Sequence, residues 1–114
     1  MSAITTHVLD IMRGSPASGI AVTLEIHREG ENWVRVGAGE TDRDGRLKSL
    51  WPDELPLAAA TYRLTFETSS YFVAQGIEGF YPEVSVVFVV RDTARHYHVP
   101  LLLSPYGYST YRGS

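Results

Sequence analysis

Hydrophobic and polar residues alternate along most of the chain. Val22, Leu24 and Ile26 alternate with Thr23, Glu25 and His27. Val34 and Val36 alternate with Trp33 and Arg35, and Tyr62, Leu64 and Phe66 with Thr61, Arg63 and Thr65. A period of two puts successive side chains on opposite faces of a strand, so each run predicts a strand with one buried face. Near the N-terminus, Ile4, Thr6, Val8 and Asp10 share one face and Thr5, His7 and Leu9 the other. The run VSVVFVV at 84–90 is apolar almost throughout and reads as a central strand or one buried on both faces. Residues 96–103 and roughly 106–112 predict two further strands.

Turn residues punctuate these runs. RGSPASG (13–19), REGEN (28–32), DRDGR (42–46) and SPYG (104–107) each carry Gly with Asn, Asp, Pro or Ser. Asp44-Gly45 is a strong hairpin signal. One segment departs from the pattern: ETSSYFVAQG (67–76) has cap candidates in Thr68 and Ser69 and a stop at Gly76, which predicts a short helix over about 68–75. Seven or eight strands and one short helix indicate an all-β sandwich, expected as a single domain over 1–114.

Composition narrows the function. The chain has 114 residues, no cysteine, 10 Lys plus Arg, 13 Asp plus Glu and a formal charge of −3. A domain of this size buries roughly two-thirds of its unfolded surface and needs no disulfide staples. There is no basic stripe, so nucleic acid is not an expected partner. There is no run of 18 apolar residues, so no membrane span is expected. The opening MSAITTHVLD lacks a basic region followed by a long apolar stretch, so no signal peptide is expected and a cytoplasmic location is the default.

The candidate chemistry starts with His96 and His98, two apart and therefore on one face, opposite Tyr97, Val99, Leu101 and Leu103, which look like the core face. Two such histidines are solvent-exposed side chains, zinc ligands awaiting a third partner, or acid–base groups that titrate near neutrality. His7 in ITTHVLD depends on its neighbours in space. Arg46, just past the DRDG turn, is either a surface charge or a guanidinium fork for a carbonyl-rich ligand or developing negative charge. Asp42 and Asp44 do not begin a calcium loop, because the sixth and twelfth positions from Asp42 are Leu47 and Asp53. GYSTY at 107–111 departs from the nucleophile elbow at its fifth residue, Tyr111, so Ser109 is not an expected nucleophile.

Taken together, THVLD, GSPASGIAVTLEI, TDRDGRL, SSYFVAQG and HYHVPLLLSPYGYSTYRGS resemble the transthyretin-like 5-hydroxyisourate hydrolases across essentially the whole chain, and the Tyr-Arg-Gly-Ser ending is their most specific motif. The resemblance implies a two-sheet sandwich of eight strands with one short helix, assembled as a homotetramer, a dimer of dimers with a channel between. It implies hydrolysis of a small-molecule substrate, 5-hydroxyisourate, with no cofactor and no metal. His7, Arg46 and His98 would be catalytic; His7, Arg46 and Tyr111 would bind substrate; His96, Arg112 and Ser114 would support the site from behind. The chain's end would form part of the active-site wall. A non-catalytic carrier of small ligands with the same fold is the alternative.

Overall fold

The alternating runs form strands where they are predicted. The computed structural model describes residues 3–114. In chain order the elements are β1 (Ile4–Asp10), β2 (Ser15–Pro16), β3 (Ala21–His27), β4 (Val34–Glu40), β5 (Arg46–Leu47), β6 (Ala60–Phe66), α1 (Thr68–Val73), β7 (Val84–Val90), β8 (Tyr97–Ser104) and β9 (Gly107–Thr110). One sheet runs β4-β3-β6-β7, all antiparallel. The other runs β2-β1-β8-β9, with β5 also paired to β1. Among the described residues the strands number nine because β2 and β5, two residues each, share the edge of β1 that β8 does not occupy.

The core holds the inward faces of both sheets. Ile4 and Val8 from β1, Leu24 from β3, Leu64 and Phe66 from β6 and Leu101 from β8 are fully buried. Each such side chain contributes about 1.5–3 kcal/mol relative to exposure. Tyr97, Val99, Leu101 and Leu103 are buried together, as the alternation along β8 predicts.

Three expectations are corrected. VSVVFVV is an edge strand with one face open: Val87 and Val89 are 57% and 47% exposed, while Val84, Val86 and Val90 are buried. A continuous apolar run does not say what covers its second face. Asp44-Gly45 does not close a hairpin, because β4 pairs with β3 in one sheet and β5 with β1 in the other, so the turn carries the chain between sheets. Helix α1 ends at Val73, before the reach to 75, and neither Thr68 nor Ser69 caps it. Glu67 takes the N-cap position without a side-chain bond, and Thr68 is buried with its hydroxyl donating to the Tyr81 carbonyl at 3.3 Å. Among the described residues no helix is long and apolar enough to cross a membrane.

Candidate active site

Strand β1 gathers the site. Its parallel register with β8 sets Thr5 opposite His98 and His7 opposite Pro100, and its antiparallel register with β5 sets His7 opposite Arg46. The loop ahead of Arg46 is tied down by Asp42, whose Oδ1 accepts from the backbone N–H groups of Asp44 (2.8 Å) and Arg46 (3.0 Å). The Arg46 bond is the main reason the Asp42 carboxyl is held below its usual range. Gly45 takes φ +75° here, and a Cβ would stand 2.5 Å from the Val8 carbonyl oxygen, so only glycine lets this turn lie against β1.

Hydrogen bonds orient the histidines. His7 Nε2 lies 2.8 Å from the Asp44 carbonyl oxygen. A carbonyl only accepts, so Nε2 carries a proton, and whenever the ring is neutral its lone pair lies on Nδ1. Thr5 Oγ1 lies 2.8 Å from His98 Nδ1 and 3.2 Å from His96 Nε2. The two rings lie nearly parallel, 6.5 Å apart. With Nδ1 engaged, Nε2 of His98 is the ring nitrogen left for a substrate. Burial, then the charges of Arg46, His7 and His96, push the His98 pKa below its ordinary value, so the ring is neutral and able to accept a proton at pH 7.

The C-terminal segment closes over the same strand. The Gly113 N–H donates to the His98 carbonyl at 2.8 Å, forming an antiparallel bridge. A Cβ at Gly113 would come within 2.6 Å of His98 Cδ2. Arg112 lies over the Tyr97 ring at 4.6 Å. The result is a cleft of about 470 Å³ lined by Thr5, Thr6, Arg46, Lys48, His96, His98 and Ser114. Its volume suits a small heterocycle.

Of the residues expected at the site, Arg46, His96, His98 and Ser114 line this cleft, and His7 stands beside it, close enough for its charge to act on His98. Tyr111 does not join them within one chain: it is exposed and lines a separate depression with Val87, Val89 and Arg112. Thr5 and Lys48 line the cleft without having been singled out in the sequence. Both signals were present, since Thr5 shares a face with His7 and Lys48 follows Arg46 by two. Among the described residues no three His, Cys, Asp or Glu side chains converge to hold a metal ion.

The fold and cleft define a β-sandwich whose sheet carries a small-ligand site with imidazoles for proton transfer and cations for negative charge. The chain belongs to the HIUase/Transthyretin family, whose model matches residues 4–113. It is 47% identical over 111 residues to the 5-hydroxyisourate hydrolase of Salmonella dublin, covering 97% of this chain and 80% of the relative. The solved 5-hydroxyisourate hydrolase of Klebsiella pneumoniae has 39% identity and a TM-score of 0.82, covering 100% of this chain and 94% of that one. Sea bream transthyretin, solved with thyroxine, has 30% identity and a TM-score of 0.89, covering 97% of this chain and 94% of that one.

Proposed function

We propose that the cleft hydrolyses the C6–N1 amide of 5-hydroxyisourate to 2-oxo-4-hydroxy-4-carboxy-5-ureidoimidazoline, in the degradation of urate. The observation that carries this reading is the cleft wall itself, where the His98 imidazole, bonded through Nδ1 to Thr5, stands with Arg46; burial and neighbouring positive charge lower the His98 pKa and favour its neutral form. Fold likeness does not separate a hydrolase from a carrier, since the transthyretin overlap is as good as the hydrolase overlap, so the side chains in the cleft must decide.

In the reaction, His98 and His7 serve as the acid–base pair. One neutral imidazole takes a proton from water as the water oxygen bonds to C6. Arg46 receives the negative charge that develops on the C6 oxygen. As the C6–N1 bond breaks, the proton passes to N1, which leaves as the ureido nitrogen. No cofactor enters this scheme. Lys48 adds positive charge where the product carboxylate forms. Arg112 on the Tyr97 ring and the Gly113–His98 backbone bond hold the C-terminal segment against β8, which keeps Ser114 on the cleft wall, and Tyr111 positions the ring in the assembled protein.

That assembly is a homotetramer in the cytoplasm. Its support is the apolar surface left open on the edge strand β7 and in the loops, where Val87, Phe80 and Tyr106 are 57%, 68% and 70% exposed. Tyr111, standing outside the cleft in one chain, is the second reason to place the complete site at a subunit contact.

The test follows ultraviolet absorbance while urate oxidase makes hydroxyisourate, with and without this protein and with chelator present. The wild type accelerates the decay of the intermediate. His98→Asn loses about 100- to 10,000-fold in rate, the usual contribution of a positioned acid–base group. A folded tetramer that leaves the spontaneous decay unchanged would refute the reading and favour a carrier of planar ligands.

A further inference from the structure

The Thr5 hydroxyl stands between two imidazole nitrogens, His98 Nδ1 at 2.8 Å and His96 Nε2 at 3.2 Å. It is only 6% exposed. A hydroxyl has one proton to donate. If Thr5 donates to His96 Nε2, it accepts from His98 Nδ1–H, and His98 then presents a bare Nε2, a base. If Thr5 donates to His98 Nδ1, it accepts from His96 Nε2–H, and His98 then presents Nε2–H, an acid. The Thr5 hydroxyl therefore couples the two rings: both carry their proton on Nδ1 in the first arrangement and on Nε2 in the second, and passing between them moves protons through Thr5.

We infer that Thr5 and His96 form a proton relay behind His98, with Thr5 the positioning residue that sets its tautomer and His96 the store for its second proton. This rests on His98 being the acid–base group proposed above. When His98 Nε2 takes a proton from water, the proton on Nδ1 moves to Thr5 Oγ1 and the Thr5 proton moves to His96 Nε2. The water's oxygen bonds to the substrate carbonyl carbon. When the carbon–nitrogen bond breaks, the relay runs backwards and Nε2 of His98 protonates the leaving nitrogen. No proton is gained or lost by the set.

The gain is electrostatic. Positive charge on His98 is opposed by Arg46 from β5, His7 from β1 and His96 from just before β8. Lys48, lining the same cleft, adds to that field. Arg112, from the C-terminal segment, is turned onto the Tyr97 ring. Moving the charge about 6.5 Å to His96 carries it along the cleft wall, away from the end where the strand register sets His7 beside Arg46. His96 is thereby given a role that neither exposure nor metal ligation supplies.

The experiment measures kcat and KM against pH for the full chain and for Thr5→Val, Thr5→Ser, His96→Gln and the Thr5→Val/His96→Gln double variant. Thr5→Val keeps the side-chain shape and removes the hydroxyl. We expect kcat to fall about 10- to 100-fold with KM within about twofold, Thr5→Ser to recover most of the loss, and the double variant to be no worse than either single one. Nitrogen-15 shifts of the imidazoles are a second readout that needs no turnover: His96 and His98 titrate as a coupled pair in the wild type and independently in Thr5→Val. Wild-type kcat in both single variants, or independent titration in the wild type, overturns the relay. An inactive wild type whose two rings still titrate as a coupled pair overturns the proposed reaction and leaves the relay standing.

Discussion

Replacing Gly113 by alanine tests whether the C-terminal segment sets the geometry of the site. The added Cβ would lie 2.6 Å from His98 Cδ2 and 3.3 Å from both His98 Cγ and its carbonyl oxygen. Ordinary carbon contacts fall at about 3.5–4.0 Å, so the ring or the segment must yield by about 1 Å. If the ring yields, its 2.8 Å bond to Thr5 is stretched beyond hydrogen-bonding range. If the segment yields, the Gly113–His98 backbone bond is lost and Ser114 leaves the cleft wall. Either His98 itself or the wall that packs against it is misplaced by about 1 Å, which costs on the order of 100-fold in rate. The stability cost of overpacking is about 1–3 kcal/mol. The assay is the accelerated decay of hydroxyisourate, paired with thermal unfolding. Gly107→Ala is the control, since its Cβ meets only Ser104 Oγ at 3.8 Å, an ordinary contact, and it keeps wild-type activity. Gly113→Ala with wild-type kcat/KM and unmoved His98 resonances would refute the argument.

Three more outcomes follow from the same contacts. Arg46→Gln removes a charge that lowers the His98 pKa, so the acidic limb of the kcat/KM profile moves to higher pH, and kcat falls about 100- to 1000-fold if Arg46 receives the oxyanion; an unmoved limb would separate Arg46 from His98. His98 binds its proton more weakly folded than unfolded, so its contribution to stability is present above the unfolded pKa of about 6.5 and is lost as pH falls through the lower folded value. Unfolding free energies measured between about pH 7.5 and 5 should show that fall in the wild type and less of it in His98→Asn. Tyr71→Phe removes the donor to Asp10 Oδ2 at 2.7 Å, where Asp10 is fully buried, and costs about 1–3 kcal/mol in chemical denaturation while kcat stays unchanged.

The parts legible in the sequence are those written in local periodicity. The strand faces of β1, β3, β6 and β8, the two-residue turn between β8 and β9, and the shared face of His96 and His98 all follow from residues a few positions apart. The open face of β7 was not legible, because a solvent-facing valine and a buried one look alike in the chain. The reach from Asp44-Gly45 into the other sheet was missed because a turn signal fixes local backbone shape and says nothing about which strands then pair. Thr5 shares a face with His7, but threonine is an ordinary strand residue and nothing local marks it. Its importance comes from the parallel register of β1 with β8, which no local pattern encodes. The grouping of His7, Arg46 and His98 was reached through resemblance alone, since alternation places each on a face but does not place the faces together.

That register also explains how one sandwich can occur both in a hydrolase and in a transthyretin solved with thyroxine. The pairing of β1 with β8 and β5 always sets positions 5, 7, 46 and 98 around one patch of sheet, because backbone hydrogen bonds hold them there whatever the side chains are. The core on the other face of β1 and β8 does not depend on them: Ile4, Val8, Val99 and Leu101 carry the packing. Chemistry is therefore free to change on the outward face while the fold stays put. Exchanging only Thr5, His7, Arg46 and His98 for unreactive side chains should abolish hydrolysis and leave the two sheets folded, with near-wild-type circular dichroism and assembly. If that variant unfolded, the cleft would be part of what holds the sandwich together, and the separation of fold from chemistry argued from its two faces would be wrong.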